Sequence, residues 1–329
     1  MSDQSFRFTP PPVLHKQDGT PRRVGFELEF TGLTLDQTVT ALNASLGGVV
    51  AEISAAERKL EVEDLGAFNI ELDWEYLKRT AAEQAKTEAG GDWVDLLSQA
   101  ATLLVPMEVV CPPIPIADLD RLNPMVEALR QAGAVGTEHS PIAAYGVHVN
   151  TEIPQLDATT LHAYLRAFAL LQWWLVKDLQ VDITRKISPY IDLYPQAYQE
   201  QLLSRSEPTL DQVIADYLQY NATRNRALDL LPILAEIDSG RVRRAVDDPK
   251  IQARPAFHYR LPDCHIEKRE WSLHDPWNNW LVVERLADRP EALDELARAF
   301  LAAQRPIIGV GRPAWVEFVD QWLKDHGLV

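Results

Sequence analysis

Two glutamates two residues apart, Glu27 and Glu29, open the chemistry of this chain. They stand in the run from Val24 to Phe30, where Val24, Phe26, Leu28 and Phe30 alternate with Gly25, Glu27 and Glu29. That period of two is the signature of a strand, so both carboxylates leave the same face, roughly 7 Å apart at their roots. Such a pair suits hard divalent cations that prefer oxygen ligands, as Mg²⁺ does when it bridges nucleotide phosphates. The plain alternative is two solvated carboxylates on an exposed sheet face.

The same pattern recurs. Glu108 lies opposite Met107 and Val109, and His148 lies opposite Val147 and Val149 in Gly146–Asn150. Glu267 and Arg269 alternate in His265–Trp271, a segment read as the end of a strand from Ala256 to Trp271. Carboxylates with an imidazole are compatible with Mg²⁺ or Mn²⁺. An acidic cleft repels a triphosphate unless metal ions and arginines reverse the local sign. Arg269, with Arg224 and Arg226 from Asn221–Arg226, carries guanidinium forks that match phosphate oxygens. Ordinary salt bridges on a surface helix are the plain alternative for Arg224 and Arg226. Other chemistries lack their motifs: there is no G-x-x-x-x-G-K-[ST], no G-x-G-x-x-G after a strand and no G-x-S-x-G elbow. Cys111 sits between Val110 and Pro112 in apolar surroundings, and Cys264 and His265 are strand neighbours that would point to opposite faces.

The elements that must position these groups interleave strands and helices. Alternation predicts strands over Val24–Phe30, Phe68–Trp74, Val105–Cys111, Tyr145–Ile153 and Ala256–Trp271. Helical periodicity covers Asp36–Leu46 (stopped by Gly47), Leu119–Gln131 (stopped by Gly133), the mostly apolar Leu161–Leu179, residues 210–237 interrupted near Pro232, Glu291–Ala303 and Pro313–Lys324. Polar-face alternation, rather than all-apolar strands, points to an α+β fold with an antiparallel sheet. One sheet face packs on helices and the other lines a polar cleft. Residues 1–20, polar and proline-rich, read as an N-terminal arm, and residues 21–329 as a single catalytic domain.

Composition narrows the partners. The 329 residues carry a formal charge of −16, which argues against nucleic acid and anionic membrane, both of which need a basic face. Two cysteines make no disulfide framework. The start lacks the apolar run of a signal peptide, and no stretch approaches ~18 uninterrupted apolar residues, so the expectation is a cytoplasmic protein.

Taken in order, the motifs resemble those of the amidoligase family, a branch of the glutamine synthetase and glutamate–cysteine ligase superfamily. Arg23–Phe30 resembles its G-x-E-x-E strand, and Ile70–Asp73 its aspartate-bearing strand, with Trp74-Glu75-Tyr76-Leu77 in place of the usual ending. Met107–Pro112 resembles E-L-V-S-P; Gly146–Asn150 resembles G-x-H-V-H, with Asn150 where a second histidine is common. Asn225–Leu230 resembles R-x-x-x-L-N-L, and Ile266–Arg269 resembles I-E-F-R with Lys268 for the aromatic. The likeness spans about residues 22–275. It implies a glutamine-synthetase-like antiparallel sheet shaped as a funnel, with helices on its outer face. It also implies two Mg²⁺ (or Mn²⁺) held by Glu27, Glu29, Glu108, His148 and Glu267, and ATP phosphates held by Arg269 with Arg224 or Arg226. The implied reaction is ATP-dependent amide formation: a substrate carboxylate attacks the γ-phosphorus and an amine displaces the resulting acyl phosphate. Asp73 or Glu71 would orient or deprotonate the amine. Peptides or amino-acid-like substrates, and a glutamine-amidotransferase-like partner protein, are implied in the same way. A guanidino-kinase-like phosphotransferase, a non-catalytic nucleotide- or partner-binding relative and a metal-dependent hydrolase are the competing readings.

Overall fold

The computed structural model describes residues 7–72, 106–137, 145–181, 191–306 and 308–329. Its centre is the strand β1 (Arg23–Phe30), as its alternation requires: Val24, Phe26, Leu28 and Phe30 are fully buried on one face. The other strands are β2 (Val49–Ser54), β3 (Glu57–Val62), β4 (Gly66–Leu72), β5 (Met107–Val110), β6 (Ile114–Pro115), β7 (Val147–Thr151), β8 (Leu228–Asp229) and β9 (His258–Tyr259). They form one nine-stranded sheet in the order β2-β3-β4-β5-β1-β7-β9-β8, with β6 set against the start of β1. The pairings between named strands are all antiparallel. With the helices this is a mixed helix and antiparallel-sheet fold, of the α+β class.

Helices cover the apolar face. Helix α1 (Leu35–Leu46) begins at a capping box between Thr34 and Gln37 and ends at Gly47, whose φ of 69° suits glycine. It packs on β3, β4 and α2 (Asn123–Ala132), which follows the 3₁₀ turn Ile116–Leu122. Helix α3 (Ala158–Asp178), capped by Asp157, is buried along most of its length, and α4 (Gln196–Ser204), α5 (Leu210–Asn221), α7 (His274–Ala287), α8 (Pro290–Ala302) and α9 (Arg312–Asp325) gather round it. Helix α6 is Leu231–Ala245. Among the described residues, no helix is long and apolar enough to cross a membrane.

Three expectations are corrected. The strand read from Ala256 to Trp271 shrinks to β9, two residues long. Pro262 cannot donate a ladder hydrogen bond; past it the pairing persists only at an isolated bridge between Gly146 and Asp263, with Cys264 N donating to Tyr145 O at 2.8 Å, and the chain then turns, with Lys268 N donating to His265 O at 2.9 Å. Glu267 and Arg269 therefore sit on a turn and not on a strand. The helix read over 210–237 is two helices with β8 between them. Pro232 lies in the first turn of α6, where its missing N–H costs nothing, so it starts a helix and interrupts none. The hairpin β2–β3 and the helices α4 and α7 were not anticipated, although α7 spaces Trp277, Trp280 and Leu281 as a buried helical face does. The strand expected to reach Trp74 is described to Leu72; Asp73 and Trp74 lie outside the described residues.

Candidate functional site

Cross-strand register, which sequence alone does not give, assembles the polar face. Glu57 on β3 pairs with Glu71 on β4, Glu71 with Glu108 on β5, and Glu108 with Glu29 on β1. Four carboxylates thus stand in one directly opposed row over four adjacent strands. Opposed residues of an antiparallel pair lie ~5 Å apart at Cβ, and like charges there repel. One step along, Glu27 pairs with His148 on β7. Two strands further, His258 on β9 pairs with Asp229 on β8.

Around Glu27 the contacts are close. His148 Nδ1 lies 2.7 Å from Glu27 Oε2, and Asn150 Nδ2 donates to Glu27 Oε1 at 2.8 Å. His258 Nε2 is 3.7 Å from the same Oε2 and 3.3 Å from His148 Nδ1. Arg254 Nη2 reaches to 3.9 Å from Glu27 Oε1. The other side of the imidazole faces the carboxylate row, with His148 Nε2 3.7 Å from Glu29 Oε1. Glu29 Oε2 accepts the Gly146 N–H at 2.9 Å. Burial by itself would push the Glu27 carboxyl up, but the His148 and His258 rings hold it well below the usual carboxylate range. Burial keeps the His148 ring below the ordinary imidazole range against the pull of Glu27. An ionised carboxylate beside a neutral imidazole is the donor state a metal ion needs. Among the described residues, two sets bring one ligand atom from each residue within 4.8 Å of one another: Glu27, His148 and His258, and Glu29, Glu108 and His148. Carboxylate oxygens with a neutral ring nitrogen fit Mg²⁺ or Mn²⁺ in their donor chemistry.

Glu27, Glu29, Glu108 and His148 are therefore brought together, with Glu71 next in the row. Glu267 stands outside both donor sets; its Oε2 accepts the Gly136 N–H at 3.0 Å. That approach needs glycine, since a Cβ on residue 136 would collide with the Cys264 carbonyl. Arg269 is exposed and feels Glu127 on α2. Arg226 donates to Leu193 O and Tyr220 O, both at 2.9 Å, and so ties a turn together. Arg224 meets Asp248 at 3.4 Å, and its carbonyl accepts from Arg260. Arg260 is the guanidinium that senses the cluster: burial pulls it below its usual range while Asp229, Glu29 and Glu27 draw it up. Cys111, buried behind Glu27, has its thiol pushed up by burial and by that carboxylate, and it packs. A cleft of about 820 Å³ among α3, α7 and α9, lined by Asp178, Asn279, Asp320 and Trp271, shares no lining residue with this face.

Residues the sequence reading passed over are Glu57, Asp229, Arg254, His258 and Arg260. One signal was present: in Phe257–Leu261 the apolar Phe257, Tyr259 and Leu261 alternate with His258 and Arg260. Glu57 had no motif at all.

No curated protein and no solved structure matches the chain. One family model does, described as putative amidoligase enzyme, over residues 20–282. That span holds the nine strands of the described residues and every residue of the polar face named above. By this match over most of its length, the chain belongs to the amidoligase family, whose description points to a ligase-like enzyme.

Proposed function

We propose that this chain is an ATP-dependent carboxylate–amine ligase built on a glutamine-synthetase-like plan. The observation that carries the reading is the opposed row Glu57–Glu71–Glu108–Glu29 beside the Glu27–His148 pair. Directly opposed carboxylates destabilise a sheet unless something positive sits over them. Divalent ions held there turn a repelling face into one that accepts a triphosphate. In this reading Glu27, Glu29, Glu108 and His148 hold Mg²⁺ or Mn²⁺, with Glu267 reaching in from its turn. The metal supplies charge neutralisation for the phosphates and an anchor for their position.

The residues do the rest. Arg254, 3.9 Å from Glu27, and Arg260, which Glu29 and Glu27 draw on, take the phosphate oxygens in this reading, together with Arg269. Arg224 holds Arg260 through its carbonyl, and Arg226 fixes the turn that presents it. A substrate carboxylate oxygen bonds to the γ-phosphorus of ATP as the bond to the β-phosphate oxygen breaks, and ADP leaves. An amine then bonds to the acyl carbon, phosphate leaves with the oxygen that came from the carboxylate, and Glu71 or Asp73 accepts the amine proton. The substrates of this reading are a carboxylic acid and an amine, at least one of them amino-acid-like or peptidic, with a glutamine-amidotransferase-like protein as a candidate source of ammonia.

The test is transfer of oxygen. The protein is incubated with ATP, Mg²⁺ and a panel of amino acids and short peptides bearing ¹⁸O-carboxylates. The ligase predicts amide, ADP and phosphate carrying one ¹⁸O, all lost in Glu29→Ala. Phosphorylated amine or guanidine without free phosphate would assign a kinase, and unlabelled phosphate without amide a hydrolase.

A further inference from the structure

Glu27 is bounded by two imidazoles, and an oxygen-seeking ion has little use for the second. We infer that His258 completes, with Glu27 and His148, a two-imidazole, one-carboxylate site for a borderline first-row ion of the Zn²⁺ class, separate in selectivity from the all-carboxylate row beside it. The inference rests on reading this face as a metal centre, and not on the ligase chemistry.

Three atoms define it. Glu27 Oε2, His148 Nδ1 and His258 Nε2 are 2.7, 3.3 and 3.7 Å apart. A point about 2 Å from all three exists, which is the length of a nitrogen or oxygen bond to zinc. Each donor also has a polar group behind it, hydrogen-bonded for Glu27 and at ion-pair distance for the two rings. Asn150 Nδ2 donates to Glu27 Oε1 at 2.8 Å and leaves Oε2 turned toward the rings. Asp229 Oδ2 stands 3.8 Å from His258 Nδ1, and Asp229 is itself buried and held by the Leu231 N–H at 2.9 Å. With the proton on Nδ1 toward Asp229, the His258 Nε2 lone pair faces Glu27. His148 carries its own proton on Nε2, toward Glu29 Oε1 at 3.7 Å, when Nδ1 ligates. Carboxylates behind the far nitrogens of ligating histidines are the usual outer shell of such sites.

The donor chemistry decides the ion. Mg²⁺ wants octahedral oxygen and keeps its water, whereas two neutral imidazoles favour Zn²⁺, Co²⁺ and their neighbours. A neutral imidazole offers one lone pair, so His148 given to this site is not available to Glu29 and Glu108. This narrows the Mg²⁺ set of the proposed reaction to the oxygen-only row of Glu29 and Glu108, with Glu27 and His148 given to the second ion. One face thus carries two cation preferences, divided at His148.

The experiment uses Co²⁺ as the probe on the full chain, without ATP, and follows its visible ligand-field absorption. One ion should bind per chain, be displaced by Zn²⁺, and resist millimolar Mg²⁺. Asp229→Asn should weaken binding about 10-fold and His258→Ala by more, while Glu108→Gln keeps the spectrum. If His258→Ala does not fold, proton NMR of the wild-type Co²⁺ form decides: hyperfine-shifted N–H signals from two imidazoles support the site, and one such signal overturns it. A spectrum that survives His258→Ala but not Glu108→Gln places the ion in the carboxylate row and overturns it too. So does ready displacement by Mg²⁺, or no binding by folded wild type. Because no nucleotide is present, failure of the ligase assay leaves this result standing, and failure here leaves the ligase assay standing.

Discussion

Two places in this molecule concentrate the same side chains and put them to opposite use. At the start of β1, Arg22 forks onto Glu284 of α7, Nη1 to Oε2 at 3.0 Å and Nη2 to Oε1 at 2.7 Å. Tyr164 OH donates to Oε2 at 2.5 Å and Trp280 Nε1 to Oε1 at 2.8 Å. Remaining Arg22 donors go to the carbonyls of Glu152 and Val13. Burial pulls the Arg22 guanidinium down and Glu284 carries it above its usual range; burial and Glu284 push the Tyr164 hydroxyl well up. Every oxygen there is spoken for. On the other face of the sheet, Glu57, Glu71, Glu108 and Glu29 are set against one another, and Glu27 shares one oxygen with two rings. A closed cluster clamps sheet to helices; the open one crowds like charges onto one face of the sheet, where a bound cation would relieve them.

Breaking the closed cluster should have the largest effect on stability. Glu284→Ala leaves a buried guanidinium without its counter-ion, and should cost ~3–5 kcal/mol in chemical denaturation. Arg22→Met with Glu284→Leu should recover part of that loss, because neither charge is then stranded. A loss below about 1 kcal/mol for Glu284→Ala would mean that water reaches the pair, and that the two regions differ less than the geometry says.

The open face should respond the other way. Glu108→Gln removes the carboxylate opposed to both Glu71 and Glu29, so without metal the fold should gain ~0.5 kcal/mol. The same change should lower ADP formation by at least the ~10–100-fold that even outer-shell changes around metals cost. Paired denaturation and steady-state assays check both signs. A Glu108→Gln protein that is less stable and equally active would make the row structural.

How much of this contrast the sequence carried follows from periodicity. Val24–Phe30 and Val147–Thr151 alternate cleanly, so the shared face of Glu27, Glu29 and His148 could be read from one chain. The long apolar helix α3 announced itself likewise. What a period of two cannot say is which strand lies beside which. The row of four carboxylates exists only through register, and one of its members, Glu57, sits in a hairpin with no motif. His258 acts from a strand two residues long, inside a stretch read as a strand whose alternation around Phe257–Leu261 was passed over as a source of site residues. The Ile266–Arg269 motif drew attention as the end of a strand, yet the pairing stops at Cys264, so Glu267 and Arg269 ride on a turn. Arg22 and Glu284, 262 residues apart, carried no local hint of each other.

His162 sharpens the comparison as a buried histidine of the closed kind. Its Nε2 lies 3.1 Å from the Leu202 carbonyl, and burial lowers it from an ordinary 6.5 to about 4. A base whose folded value is depressed binds fewer protons folded than unfolded between those two values, so stability falls as pH drops from 6.5 toward 4. The slope should approach ~1 kcal/mol per pH unit in that window. His162→Gln, whose amide can still donate to Leu202, should flatten that component when denaturation is repeated across the range. An unchanged slope would assign it to other groups.

The smallest effect belongs to Asp178, which stands between the two kinds. Its side chain reaches solvent, Asn279 Nδ2 donates to it at 3.0 Å, and it borders the cleft that also holds Asp320. Burial of its inner side, followed by Asp320, raises its carboxyl above the usual range while Asn279 pulls it back. An acid raised in the folded state is disfavoured when ionised, a penalty present at neutral pH and gone once pH falls below the unfolded value. Asp178→Asn keeps an oxygen for Asn279 and removes the charge. It should therefore add a few tenths of a kcal/mol at pH ~7, small because solvent screens the group, and nothing at pH ~3. Thermal denaturation at both values checks this. A variant that loses stability at neutral pH would show that the charge of Asp178 is being used, and would move it from the closed kind of site to the open one.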